Sequence, residues 1–311
     1  MKKNTRRAAT ALSILLVINL LSGCSFENTD PFASTTNSTK TTITTSGMTT
    51  TTTPDTTITT QTSEFSFTEE QSSTLDSLIQ SYGGNVSVAF YDINSGYTYS
   101  YNSEHVYFVA SIIKAPFCLY ILDLAEQNKT NLNHKIKYTD NFYAGGTGRL
   151  KDQPFGGYYS VDMLVEYAIR YSDNVALRML KSHYSTDGFV SYAKNIGVQN
   201  INDIKNINNG NITASDALVY MKEIYSFISS GTQNGRKLRT DMLNTSNPMI
   251  CSKYPVVRKY GWADGAFHDA AIIEAPNPYI LVILSDHDDG TTRDFSMFKT
   301  ISTKIEAFTG Q

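Results

Sequence analysis

The stretch that most limits how this chain can fold is residues 107–127, Y-F-V-A-S-I-I-K-A-P-F-C-L-Y-I-L-D-L-A-E-Q. Apolar side chains, among them Val109, Ile112, Ile113, Phe117, Leu119, Ile121 and Leu122, fall on most faces of a helix. Such a helix belongs in a core rather than on a surface. It carries two reactive side chains, Ser111 and Lys114. At this spacing they lie one turn apart and side by side. A charged, unpaired lysine is costly in apolar surroundings, so burial is expected to push its pKa down. A neutral amine beside a serine hydroxyl is a nucleophile with its own base. S-x-x-K also arises by chance in 311 residues, so the reading depends on finding the rest of a site.

The chain is 41% hydrophobic with a formal net charge of −3, enough for one sizeable domain with a proper core. The mild acidity leaves no basic footprint, so nucleic acid is not an expected partner. Residues 1–23 read as a signal peptide: Lys2, Lys3, Arg6 and Arg7, then an apolar run, then L-S-G-C ending at Cys24. The run is too short for a membrane span. This segment is similar to the lipobox of bacterial lipoproteins. That resemblance implies cleavage before Cys24, a diacylglycerol group on it, and an extracytoplasmic protein lipid-anchored to the bacterial cell membrane. The plainer alternative is a secretory signal with a stray cysteine. Residues 24–64 are a threonine-rich linker that cannot bury enough apolar surface to fold.

The folded part is expected over residues 65–311. Thr68 with Gln71 forms a capping box before a helix that Gly83 and Gly84 end. Residues 86–93 and 97–101 alternate as two strands around an Asn94-Ser95-Gly96 turn, a hairpin. After the 107–127 helix, strand signals fade. Helices are expected from Ser160 to Ile169, over 175–182, over 187–195 closed by Gly197, and from Thr213 to about Ser229. Strands return at 256–262, after which Asp264-Gly265 marks a turn, then at 269–274 and 279–285, before a helix over 295–308. Strands at both ends with helices between predict an α/β (α+β) architecture, an antiparallel sheet flanked by helices plus an all-helical lobe. The sheet lobe would take about 65–127 and 213–311, the helical lobe about 128–212. The cleft between them is the natural place for a site.

Three more pieces point to that cleft. Ser172-Asp173-Asn174 falls in a break between two helices, Lys259-Tyr260-Gly261 lies on a strand, and Gly145 to Gly148 reads G-G-T-G. Each has an ordinary explanation alone: a helix N-cap, an edge strand, a loop. Together, Ser111-x-x-Lys114, Ser172-Asp173-Asn174 and the Lys-x-Gly strand resemble the penicillin-recognising serine enzymes, the class A β-lactamases and penicillin-binding proteins. G-T-G-R-L before the second motif and G-W-A-D-G-A-F-H-D-A-A-I-I after the third extend the resemblance over residues 65–311.

The resemblance implies a β-lactamase/transpeptidase-like fold and a role for each residue. Ser111 would be the acylated nucleophile and Lys114 its base. Ser172 would pass a proton to the leaving nitrogen. Asn174 would bind the substrate's side-chain amide and help hold Lys114. Lys259 would supply positive potential, and Tyr260 and Gly261 would line the substrate strand. The backbone N–H groups of Ser111 and Trp262 would form the oxyanion hole. Asp173 would be structural, and His268 and Asp269 are read as structural too. No cofactor is implied, no metal-ligand spacing appears among the five histidines, and Cys118 and Cys251 are read as two free thiols. A monomer is expected.

Two departures qualify this. Class A β-lactamases carry a deacylating glutamate on a loop between the second and third motifs. Here residues 201–213, I-N-D-I-K-N-I-N-N-G-N-I-T, contain no glutamate, and Asp203 is their one carboxylate. Glu166 lies on the helix before Ser172 and is no substitute. Tyr260 stands where a threonine or serine hydroxyl is usual, and is expected to narrow the cleft. The expectation is therefore a class A-like serine hydrolase acting on β-lactams or cell-wall D-Ala-D-Ala amides, with slow deacylation. The alternatives are a D,D-peptidase acting on peptidoglycan stem peptides, or a non-catalytic wall-binding or sensor protein.

Overall fold

The computed structural model describes residues 65–200, 210–263, 265–287 and 295–311. The signal peptide, Cys24, the threonine-rich linker, Asp203 and Asp264 lie outside the described residues. The chain opens with α1 (Glu69–Ser81), whose Thr68–Gln71 capping box is present in full. The hairpin β1 (Val86–Asp92) and β2 (Thr98–Tyr101) follows, then a two-residue strand β3 (Tyr107–Phe108). A 3-10 turn at Ala110–Ile113 leads into α2 (Lys114–Glu126). Two short strands, β4 (Lys135–Lys137) and β5 (Tyr158–Ser160), pair with each other. Three helices come next: α3 (Val161–Arg170), α4 (Asn174–His183) and α5 (Thr186–Asn195). The strand β6 (Asn211–Ile212) pairs with β3 and leads to α6 (Ala214–Ile228) and α7 (Gln233–Leu243). The chain closes with β7 (Val256–Ala263), β8 (Ala266–Ile273), β9 (Tyr279–Ser285) and α8 (Ser296–Phe308).

The main sheet is antiparallel, in the order β2-β1-β9-β8-β7. Both faces are covered. Ile280, Val282 and Leu284 of β9 join the core built by α2 to α7, while Leu281 and Ile283 join a second core with α1 and α8. A strand buried on both faces reads as an unbroken apolar run, which Y-I-L-V-I-L-S is. β7 lies at the sheet edge and packs against the 3-10 turn that carries Ser111.

The structure corrects three expectations. Residues 107–127 are not one helix. Tyr107 and Phe108 pair with Ile212 and Asn211, Ala110 has φ 46°, and the α-helix starts only at Lys114. Pro116 marks that start, because the N–H it lacks has no partner in a helix's first turn. β8 begins at Ala266, not Asp269, extending the ladder to the turn through the Ala263–Ala266 pair. α7 was not expected. Its sequence, Q-N-G-R-K-L-R-T-D-M-L, is mostly polar and buries few apolar residues, chiefly Leu238 and Met242, while Thr232 caps it.

Candidate active site

The fold brings Ser111, Lys114, Ser172, Asn174, Lys259 and Trp262 to one place, where the 3-10 turn, α2, the start of α4 and edge strand β7 meet. A cleft of about 360 Å³ opens there, lined by Ser111, Lys114, Asn174 and Trp262 among others. Ala110, just before the nucleophile, is held at φ 46°, a left-handed conformation costing a non-glycine residue about 1–2 kcal/mol. A side chain at Gly261 would begin 3.0 Å from Ile112 N and 3.2 Å from both Ser111 N and the Ala110 Cβ. Only glycine lets β7 come this near the turn. The close approach seats β7 against the turn, with both Ser111 and Trp262 lining the cleft.

Ser172 also has positive φ, 51°. Its neighbours hold it there. Thr147 Oγ1 donates to the Ser172 carbonyl at 2.8 Å, and Asp173 N–H donates to Tyr167 O at 3.1 Å. Asp173 caps α4 by accepting from Ala176 N at 2.9 Å. Its other oxygen accepts from the N–H groups of Arg149 and Leu150, at 2.6 and 2.9 Å. Asp173 thus fastens the glycine loop to α4. A Cβ on Gly148 would lie 2.4 Å from its carboxyl carbon.

Lys114 is 2% exposed, and its amine donates to Asn174 Oδ1 at 2.7 Å and to the Ser172 carbonyl and Oγ at 2.5 and 3.2 Å. Burial lowers its pKa to about 7, with the charge of Asp173 pulling the other way. No hydrogen bond joins it to Ser111 Oγ among the described residues. The one-turn spacing is present, but the amine leans toward Ser172. Asn174 Nδ2 donates to Gly145 O at 2.8 Å, so its amide bridges Lys114 and the loop.

Lys259 is fully buried and donates to the same Ser172 Oγ at 3.1 Å and to Tyr260 O at 2.8 Å. Burial first, then the nearby Lys114 charge, pushes its pKa well below that of an ordinary lysine. Neither amine has an ion pair among the described residues. Lys259 is not among the residues that line the cleft. Nor does Tyr260 narrow the cleft. It is 2% exposed, its ring centroid lies 4.0 Å from Lys259 Nζ, and its hydroxyl is 3.4 Å from Ser246 Oγ. The ring covers the lysine. Ser172, also fully buried, is part of this covered pair rather than of the cleft wall.

His268 accepts from Ser285 N–H at Nδ1, 3.2 Å, and so donates from Nε2 to Phe108 O, 2.8 Å. It is neutral, with its pKa lowered to about 4 by burial, and it steadies Phe108 on the cleft wall. Asp269 accepts from Ile250 N at 2.9 Å and pairs with Arg258 at 3.2 Å. Cys118 is a buried free thiol pushed up to about 12, so no disulfide joins it to Cys251. Glu166 pairs with Arg170 at 2.9 Å on the outer side of α3. No group of three or more histidines, cysteines or carboxylates that would hold a metal occurs among the described residues.

Among the lining residues that were not anticipated are Leu177 and Arg178, both on α4. Their signal was present in the sequence, since they stand three and four residues after Asn174 and share its helix face.

An antiparallel sheet flanked by helices, with a serine turn packed on its edge strand, defines a β-lactamase/transpeptidase-like protein. The chain belongs to the β-lactamase enzyme family, whose model matches residues 70–308. The β-lactamase SME-1 of Serratia marcescens is 22% identical over 135 residues, 42% of this chain. The match spans only 45% of that curated relative. Among solved structures, PBP-A superimposes with a TM-score of 0.69 at 17% identity, over 78% of this chain and 97% of that one. A β-lactamase from Sphaerobacter thermophilus gives 0.68 at 17%, over 79% and 98%.

Proposed function

We propose that this chain is a serine hydrolase that forms an acyl-enzyme on Ser111 with β-lactams or related cell-wall D-Ala-D-Ala amides, and releases it slowly. Ser111 Oγ attacks the carbonyl carbon and its proton passes to neutral Lys114. The oxyanion is held by the N–H groups of Ser111 and Trp262 while the C–N bond breaks. The leaving nitrogen takes its proton from Lys114, which lines the cleft. Ser172 Oγ accepts from both lysine amines, at 3.2 Å from Lys114 and 3.1 Å from Lys259, and so ties the two together.

One observation carries the slow release. Among the described residues, the cleft wall has no carboxylate to activate a water against the ester. Asp203 is outside those residues, and Glu166 is engaged with Arg170. The same observation favours the second reading, a D,D-peptidase that acylates on stem peptides and is trapped by β-lactams. A base with a pKa near 7 also sets a pH profile. The acylation rate should rise about tenfold per pH unit below 7 and level off above it, as Lys114 loses its proton. Rates of penicillin uptake from pH 5 to 9 test this, and a flat profile would remove Lys114 as the base.

The anchor belongs to the same proposal. A lipid on Cys24 would hold the domain at the outer face of the cell membrane through the threonine-rich linker. Among the described residues no helix is long and apolar enough to cross a membrane. Cys24→Ala should therefore move the protein from the membrane fraction to the soluble one. Retention of the variant in washed membranes would contradict the lipid anchor.

A further inference from the structure

Resting on the reading of Ser111 as an acylated nucleophile, we propose that Arg178 binds a carboxylate on the acyl side chain of the substrate, so that the site prefers anionic acyl donors.

The wall opposite β7 is built by α4. Asn174, Leu177 and Arg178 lie on one face of that helix and all line the cleft. Asn174 is where the acyl side-chain amide is expected to dock, so a group beyond that amide runs along the helix toward Arg178. Arg178 is exposed and makes no ion pair among the described residues. One guanidinium nitrogen donates to Tyr143 O at 2.5 Å, which fixes the fork and leaves other donors for a ligand. Its charge is felt nearby. It helps, after burial, to lower the pKa of Lys181. Lys151 adds a second cation beside the glycine loop, donating to the O of the lining residue Gly146 at 2.6 Å.

The other side of the cleft offers no comparable partner. Lys259 is buried beneath Tyr260 and does not line the cavity. Among the described residues, the lining cations are Lys114, committed to Ser172 and Asn174, and Arg178. A carboxylate entering this cleft finds its planar, two-pronged partner on α4.

Two penicillins that differ by one group make the test: benzylpenicillin and its α-carboxy derivative, carbenicillin. Binding is read in a Ser111→Ala background, where no acyl-enzyme can form. Trp262, the chain's one tryptophan, lines the cleft and supplies the fluorescence signal. The α-carboxy compound should bind about tenfold or more tightly than benzylpenicillin. Adding Arg178→Gln should erase that difference, and Arg178→Lys should keep part of it. Arg178 is exposed, so thermal unfolding should be unchanged in both variants. Equal affinities, a preference that survives Arg178→Gln, or no binding of either compound would each overturn the proposal. Acylation is measured separately on the parent chain by intact mass. A carboxylate preference without acylation would remove the hydrolase reading and leave the Arg178 assignment standing.

Discussion

Ser111→Ala is expected to take up no β-lactam at all while folding like the parent chain. The hydroxyl is half-buried at the cleft and makes no hydrogen bond among the described residues, so its loss should change stability by less than about 1 kcal/mol. The chemistry has no second route. Lys114 spends its amine on Ser172 and Asn174, and Ser172 is fully buried. Losses on the order of 10⁶-fold are known when a serine nucleophile is removed. Covalent labelling by a fluorescent penicillin, with thermal unfolding as the control for folding, gives the answer. Persistent labelling of a folded variant would take Ser111 out of the mechanism.

The second large effect is in the parent chain, and it concerns release. Hydrolysis needs water to attack the ester from the open side of the cleft. A positioned general base is worth about 10²–10⁴ in rate, or roughly 3–5.5 kcal/mol of barrier. The described cleft wall provides Ser111, Lys114, Asn174 and Arg178, but no carboxylate. In the proposed mechanism Lys114 serves the first step, and its amine is engaged by Ser172 and Asn174. Stopped-flow measurement with a good β-lactam should give a burst of about one equivalent, followed by turnover slower by two orders of magnitude or more. A linear trace from the first turnover would show that some other group deacylates the enzyme.

Local chemistry was legible in the sequence. Thr68, Ser160 and Thr213 each accept from the N–H three residues ahead, so the helix starts they mark could be read without knowing the fold. Strand β9 matches its expected bounds because a run of apolar, β-branched residues has few other uses. The Ser111-to-Lys114 spacing and the depressed lysine also followed from local sequence. What stayed hidden depends on partners far along the chain. The Lys114 amine turns toward a serine 58 residues away. Tyr260 turns toward Ser246 and over Lys259, which no local pattern encodes. Ser172 and Lys259 are both fully buried, so two residues expected at the cleft are absent from its lining. α7 escaped notice because a polar helix carries too weak an apolar stripe.

These hidden features bear on function. In this structure the Lys259 amine is covered by the Tyr260 ring, and the exposed cation Arg178 stands on the wall built by α4. Tyr260 and Arg178 are therefore the residues on which the proposed substrate preference turns. Asp173 and Gly148, by contrast, keep the loop and α4 together whatever the substrate.

The central claim is that acylation is efficient and release is not. Intact-mass spectrometry of the parent chain, mixed with a slight excess of benzylpenicillin and sampled over minutes, tests it most directly. The account predicts that the whole population gains the mass of one drug molecule within the mixing time and keeps it for minutes or longer. A chain that stays at its unmodified mass while the drug is hydrolysed at tens of turnovers per second would contradict it.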